Sequence, residues 1–380
     1  MDFTYSEEQL ALQDTLRRFI AKDYGFEHRR ATAKSELGYD HAAWSHFAEF
    51  GLLALPFPES MGGLDGTAVD TMMVMEMLGR GLSLEPYLST VILCGGLIRD
   101  AGSAEQRDLV IPNIASGEFQ VALAQAEPGT RYELSHVRTQ ATAADGGWLI
   151  NGHKSVVLGG ATANLFIVAA RTGGGPRDED GISLFMVGAK AAGVTARGYP
   201  TQDGMRAAEV RLDKVHVGAD ALIGPLGGGL PILERAVDVA GAALCAESVG
   251  IMSALNEVTL EYLKTRKQFG SPIGRFQALQ HRMADMVIAT EQARSMSIMA
   301  AVQAGSNDAG ERSRAIAAAR AYVAQSSRLV GQQAVQLHGG MGVTDELNVG
   351  HYFKRLTMIG LTFGDVDHHL GRFSATLLAA

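Results

Sequence analysis

Cysteine is almost missing from this chain: Cys94 and Cys245 are the two in 380 residues. They lie far apart, each in an apolar helical context. Neither a disulfide framework nor a cysteine metal site can be drawn, so two buried thiols in a reducing compartment are expected. Long apolar runs are missing too. Hydrophobic residues make up 47% of the chain, yet no stretch of eighteen or more occurs, which argues for a globular protein without a transmembrane helix. The opening Met1-Asp2-Phe3-Thr4-Tyr5-Ser6 has neither the basic nor the apolar segment of a secretory signal. Charge of one sign never accumulates. The net charge of −8 is spread without long runs, which argues against nucleic acid as a main partner. A cytoplasmic location is the expectation, with no membrane and no metal. No repeat of solenoid period is visible.

What is present falls into three blocks. Up to about residue 118 the chain reads as helical. Ser6-Glu7-Glu8-Gln9 places a cap before Leu10, Leu12, Leu16, Phe19 and Ile20, which recur at near-helical spacing. A second apolar helix is expected from Val69 to Leu78, a third opens at Glu85-Pro86, and Ser103 caps a fourth. At Phe119 the period changes. Short apolar runs follow at Val121–Ala124, Trp148–Ile150, Lys154–Leu158, Leu165–Ala169, Ser183–Val187, Ala208–Leu212 and Val215–Val217, separated by glycine-rich or charged turns. They suggest a small β-barrel or sandwich. From Leu230 the helical period returns, with helices expected near 230–267, 276–304 and 308–338, and a fourth in the last part. Four long helices suggest a bundle. The expected domains are 1–118, 119–228 and 229–380, and the fold class is α+β.

Two stretches stand out in the last block. One is Arg266-Lys267-Gln268-Phe269-Gly270-Ser271-Pro272-Ile273-Gly274-Arg275-Phe276-Gln277. Arg266 ends a helical pattern that breaks at Gly270-Ser271-Pro272, where a guanidinium fork can meet phosphate. The other is Gln336-Leu337-His338-Gly339-Gly340-Met341-Gly342, whose paired glycines let backbone approach a ligand closely. Together they resemble the FAD-binding signature of the acyl-CoA dehydrogenase family, and the helical, β, helical-bundle order resembles that family along essentially the whole chain. The resemblance implies an N-terminal helical domain, a middle β-barrel domain and a C-terminal four-helix bundle. It implies FAD between the β-domain and the bundle, with part of each site supplied by a neighbouring subunit. By position, Arg266 is expected at the pyrophosphate and Phe269, Phe276 and Gln277 at the adenosine end. Gln336 and the Gly339-Gly340 backbone are expected to close the site.

The reaction so implied is α,β-dehydrogenation of an acyl-CoA thioester. A carboxylate removes the α-proton, the β-hydride goes to the flavin, and an electron-transfer flavoprotein takes the electrons. Such a base must be desolvated and its thioester polarised. Here the chain departs from the family. The segment matching Tyr-Glu-Gly-Thr reads Thr362-Phe363-Gly364-Asp365, with phenylalanine where the glutamate would stand. The other family position for a glutamate matches Ala240. Glu247, seven residues further along the same helix, stands among Ala243, Leu244, Cys245, Ala246 and Val249. It is the candidate base, on the expectation that apolar neighbours desolvate it. The alternative is that it pairs with a basic residue inside the bundle. Asp365 and Asp367 are the runners-up, and His338, His368 and His369 read as ligand-facing or hydrogen-bonded structure.

The β-domain departs as well. The family's Thr-Glu-Pro-Gly-Ala-Gly-Ser reads Ala126-Glu127-Pro128-Gly129-Thr130-Arg131-Tyr132, and its flavin-side tryptophan and threonine match Val156 and Leu158. The near half of a flavin site is weakened, while the half lent to a neighbour is intact. That asymmetry resembles the small subunits of heteromeric members, including the pimeloyl-CoA and bacterial steroid side-chain types. A homologous partner in a heterotetramer is expected, with a homotetramer as the alternative. Two other readings share the fold: a non-catalytic subunit that completes a partner's FAD site, and a flavin oxidase or monooxygenase.

Overall fold

The computed structural model describes residues 5–378. Ser6 starts the first helix as its sequence dictates: its Oγ accepts the Gln9 N–H at 3.2 Å, while Gln9 Oε1 accepts the Ser6 N–H at 2.9 Å. This reciprocal cap opens α1 (Glu7–Lys22), which buries Leu16 and Phe19. There follow α2 (Phe26–Lys34), α3 (His41–Glu49) and α4 (Ala68–Gly81). The helix expected at Glu85-Pro86 is a π-helical segment, Leu88–Gly95, continued by α5 (Gly96–Ala101). Ser103 caps α6 (Ala104–Ala115) by the same reciprocal device as Ser6.

The strands are β1 (Val121–Ala124), β2 (Gln140–Ala144), β3 (Gly147–Leu158), β4 (Leu165–Arg171), β5 (Ile182–Gly188), β6 (Val194–Pro200), β7 (Arg206–Gly218) and β8 (Leu222–Ile223). They form one eight-stranded sheet in the order β6-β7-β3-β2-β4-β5-β8, with β1 parallel to β4. Two pairs of expected strands are each one long strand: 148–150 with 154–158 is β3, and 208–212 with 215–217 is β7. The register shifts between Ile150 and Gly152 and between Lys154 and Val157 explain the interrupted pattern, since a bulge breaks alternation without ending a strand. Val157, Phe166, Phe185, Val187, Val210 and Val215 share one buried cluster. β7 and β5 lie towards opposite ends of the sheet, so the sheet curls around that core as in a barrel.

The long helices are α7 (Gly229–Thr265), α8 (Gln277–Ala304) and α9 (Ala309–His338), the last capped by Asp308, whose side chain accepts the Glu311 N–H. The fourth expected helix is two: α10 (Asn348–Ile359) and α11 (Val366–Leu378). A two-residue-strand hairpin, β9 (Lys267–Gln268) with β10 (Ser271–Pro272), joins α7 to α8. α7 is long and apolar enough to cross a membrane by composition, but 89% of its most apolar window is buried against protein, the mark of a core helix. By compactness the chain forms two units: residues up to 31, 68–83 and from 241 on, and residues 32–67 with 84–240.

Within the second unit, the Glu127-Pro128-Gly129 loop is tied to β3 by a buried ion pair. Lys154 Nζ, fully buried, meets Glu127 Oε1 at 2.7 Å and Gln125 O at 3.1 Å. Glu127 also accepts the backbone N–H groups of Arg138 and Thr139, each at 2.9 Å, and the Thr139 hydroxyl at 2.7 Å. Burial pushes the Lys154 ammonium down to about 8 and Glu127 pulls the other way. Removing one partner of such a pair leaves an uncompensated buried charge. Glu127→Gln is therefore expected to lower stability by about 3 kcal/mol, measured as a shift of the denaturant midpoint at unchanged slope.

Candidate functional site

The two stretches singled out in the sequence meet in the first unit. Tyr262, in the last turn of α7, stacks on His338, the last residue of α9, with ring centroids 4.4 Å apart and planes at 28°. The Tyr262 hydroxyl also donates to the His338 carbonyl at 3.4 Å. Sequence reasoning missed Tyr262; its spacing of four before Arg266 was the available signal. His338 is buried, its Nδ1 lies 2.8 Å from the Ala334 carbonyl, and burial lowers its proton affinity. It is a neutral structural ring rather than a ligand-facing one.

Arg266 follows directly, exposed, with its N–H on the Tyr262 carbonyl at 2.8 Å and its carbonyl accepting the Ile273 N–H at 2.9 Å. The hairpin turns at Phe269 and Gly270, with φ of 54° and 78°. Two successive positive φ values suit a tight hairpin, and glycine supplies one of them freely. Phenylalanine does not, at a strain cost of roughly 1–3 kcal/mol. Its ring is 92% exposed and meets Phe276 edge-on at 6.2 Å. Phe276 and Gln277 follow at the start of α8, both exposed. Gln336 is exposed near the end of α9. At Gly339 (φ 59°) and Gly340 an added Cβ would meet nothing within 4 Å, so the backbone there is open. The seven residues expected at the dinucleotide thus lie at the end of α7 and its hairpin, the start of α8 and the end of α9, with the ends of α7 and α9 joined by the Tyr262–His338 stack. A guanidinium, exposed aromatic rings and bare glycine backbone are the groups that hold an adenine dinucleotide.

Glu247 is 6% exposed on α7, but its surroundings are not purely apolar. Arg355 of α10 clasps both carboxylate oxygens, Nε to Oε1 at 2.5 Å and Nη2 to Oε2 at 2.8 Å. Glu247 is desolvated as expected, and the alternative of a pair with a basic residue inside the bundle is what the geometry shows: it is half of a bidentate ion pair. One signal was readable: Arg355 falls on the apolar stripe of α10 with Val349, Tyr352, Leu356 and Ile359, where a charge needs a partner.

The segment between α10 and α11 turns sharply, with Phe363 at φ 60° and Gly364 at 137°. Buried Arg320 holds it, donating to the Ile359 and Thr362 carbonyls at 2.8 and 2.7 Å. Its Nε faces His369 Nε2 at 3.4 Å. Burial and the Arg320 charge push His369 down to about 2, so this ring is neutral. Asp365 caps α11, its Oδ1 accepting the His368 N–H at 2.9 Å. Asp367 is exposed in the first turn. In the second unit, Arg131 (φ 50°) and Val156 (φ 52°) are both exposed. A β-branched residue at positive φ is an outlier, and it lies within the Lys154–Val157 irregularity of β3. No group of three potential ligands for a metal occurs among the described residues.

Three family profiles match the chain in succession: the acyl-CoA dehydrogenase N-terminal domain over 6–118, the middle domain over 122–215 and the C-terminal domain over 227–377. The acyl-CoA dehydrogenase IpdE2 of Mycolicibacterium smegmatis is 30% identical over 97% of this chain and 99% of its own. Among solved structures, a variant of the Tcur3481–Tcur3483 steroid ACAD aligns with a TM-score of 0.88 at 29% identity, covering 98% of each chain. The ChsE4–ChsE5 complex from Mycobacterium tuberculosis aligns with a TM-score of 0.89 at 26% identity, covering all of both chains.

The Glu247–Arg355 clasp gives a direct expectation. Glu247→Gln replaces the bidentate carboxylate under the buried Arg355 guanidinium by a neutral amide and should cost about 3 kcal/mol, whereas adding Arg355→Met should restore most of the loss. Denaturant titrations of the two variants check this. A single variant as stable as the parent would show that the clasp contributes little.

Proposed function

The chain belongs to the acyl-CoA dehydrogenase family, oxidoreductases that act on CH–CH groups with FAD, and from that premise we propose that it is the site-completing subunit of a heteromeric member. In this reading the chain lends Arg266, Phe269, Phe276, Gln277, Gln336 and the Gly339-Gly340 backbone to an FAD site whose flavin-ring side belongs to a homologous chain. The observation that carries the reading is an asymmetry. The lent groups are all present and open, while Val156, Leu158 and Arg131 stand where the family's ring-side and phosphate-side residues would be, and Glu247 is clasped by Arg355.

Bound FAD would supply the acceptor for the hydride leaving the β-carbon of the thioester. This chain's residues supply position and charge. The Arg266 guanidinium would hold the pyrophosphate with its planar fork, the two phenylalanines would flank the adenine, and the glycine backbone would admit the dinucleotide without a Cβ in the way. The α-proton falls to a carboxylate of the homologous chain. An acyl-CoA with a bulky or branched acid is the substrate class, supported by the steroid ACAD among the similar structures. An electron-transfer flavoprotein is the acceptor and the cytoplasm the location. A second reading keeps Glu247 as the base, favoured by its burial on α7 and requiring Arg355 to swing away.

Arg266→Ala is expected to lower FAD affinity at least about tenfold at unchanged circular dichroism, because a hydrogen bond to an anion contributes roughly 1.5–3 kcal/mol. Flavin content equal to the parent's would remove Arg266 from the site. The two readings separate in anaerobic flavin bleaching by an acyl-CoA. The Glu247→Gln/Arg355→Met pair, chosen to keep the fold, should bleach at the parental rate in the assembled complex. A loss of about a hundredfold or more would make Glu247 the base.

A further inference from the structure

Residues 339–347 join the end of α9 to the start of α10 and carry the open Gly339-Gly340 backbone. The first part closes on itself: the Thr344 N–H and hydroxyl both donate to the Met341 carbonyl, at 3.2 and 2.9 Å. Beyond that turn, the contacts of the loop gather at Asp345. Its carbonyl oxygen and Oδ1 lie 3.2 and 3.1 Å from His351 Nε2 on α10, and its Oδ2 lies 3.6 Å from Arg30 Nη2 on α2. On the other side of the imidazole, Nδ1 lies 3.1 Å from Arg29 Nη1. Arg29 is 2% exposed and fixed in turn, its Nε donating to the Leu82 carbonyl at 3.0 Å. Phe26 meets the His351 ring edge-on at 5.0 Å.

These contacts settle the tautomer. An arginine only donates, so Nδ1 must be the bare acceptor and the single ring proton sits on Nε2, aimed at Asp345. A neutral imidazole therefore relays a buried arginine to the loop. We propose that Arg29, His351 and Asp345 form a relay that sets the 339–347 loop, making His351 a positioning residue for FAD capture. This rests on the reading that the loop closes a shared FAD site.

The relay has a built-in acid limit. A second proton would have to enter at Nδ1, directly against the Arg29 guanidinium. Burial lowers the proton affinity of His351, as do the charges of Arg29 and of Lys354 on its own helix, while Asp345 acts in the opposite sense. Arg29, Arg30 and Phe26 of α2, Asp345 of the loop and Lys354 of α10 are the groups around it. With the folded-state value depressed below the ordinary imidazole value, the relay is intact above that value and is lost as pH falls through the folded one.

The test is FAD titration of the deflavinated assembly, in the form in which it purifies, from about pH 8 down to about pH 4.5, from above the ordinary imidazole value to well below it. His351→Gln keeps both bonds, its amide oxygen towards Arg29 and its amide N–H towards Asp345, and does not titrate. It should hold the parental affinity at high pH and keep it in acid, where the parent weakens. His351→Leu should bind about three- to tenfold more weakly throughout, the loss of one or two net hydrogen bonds. A His351→Gln profile that still falls in acid like the parent's would overturn the relay, even if His351→Leu does not fold. So would parental affinity in His351→Leu. Arg266→Ala, run alongside, separates the two claims. If it loses FAD while the His351 variants do not, the relay alone is wrong. If it too binds as the parent does, the FAD reading fails and the relay falls with it.

Discussion

A carboxylate and a guanidinium, buried face to face, tie two helices of the first unit together. Glu247 of α7 and Arg355 of α10 are 6% and 8% exposed and joined by two hydrogen bonds. Taking both charges out of water costs several kcal/mol for each ion, and the bidentate geometry offsets that cost only while both partners are present. The pair therefore fastens α10 to the core helix of its unit, and with α10 the two flanking loops: 339–347 before it and the Phe363-Gly364 turn after it.

Much of the architecture was legible in the sequence because its signals are local. Ser6, Ser103 and Asp308 cap helices where they were expected or close by, and the ends of α7, α8 and α9 fall within about two residues of expectation, the usual scatter of helix boundaries. β2 and β6 were not legible. β2 is built from small and polar residues, and β6 is exposed or half-exposed along its whole length, so neither shows the alternation that marks a half-buried strand. The last helix reads as one because the apolar pattern continues across Phe363-Gly364. The break comes from Arg320, which takes the Ile359 and Thr362 carbonyls from a different helix.

The site divides in the same way. Arg266, Gln336 and the glycine pair were visible as motifs because their spacing is fixed along the chain. The Tyr262–His338 stack that brings the motifs together was not, nor was the strain at Phe269, since both are tertiary. Glu247 is the instructive case. Its small apolar neighbours along α7 were read correctly, but its partner comes from another helix over a hundred residues away. A charge on an apolar stripe has two readings, a poised base or a paired ion. Here the second charge, on the stripe of α10, supplies the pair.

The central claim is that this chain supplies one side of a shared site and not a whole one. Counting flavin tests it most directly. FAD released from the purified active assembly, measured against total polypeptide, should come to about one for every two chains, with a homologous second chain present in equal amount. An assembly of this chain alone that holds about one FAD per polypeptide and bleaches with an acyl-CoA would contradict the account.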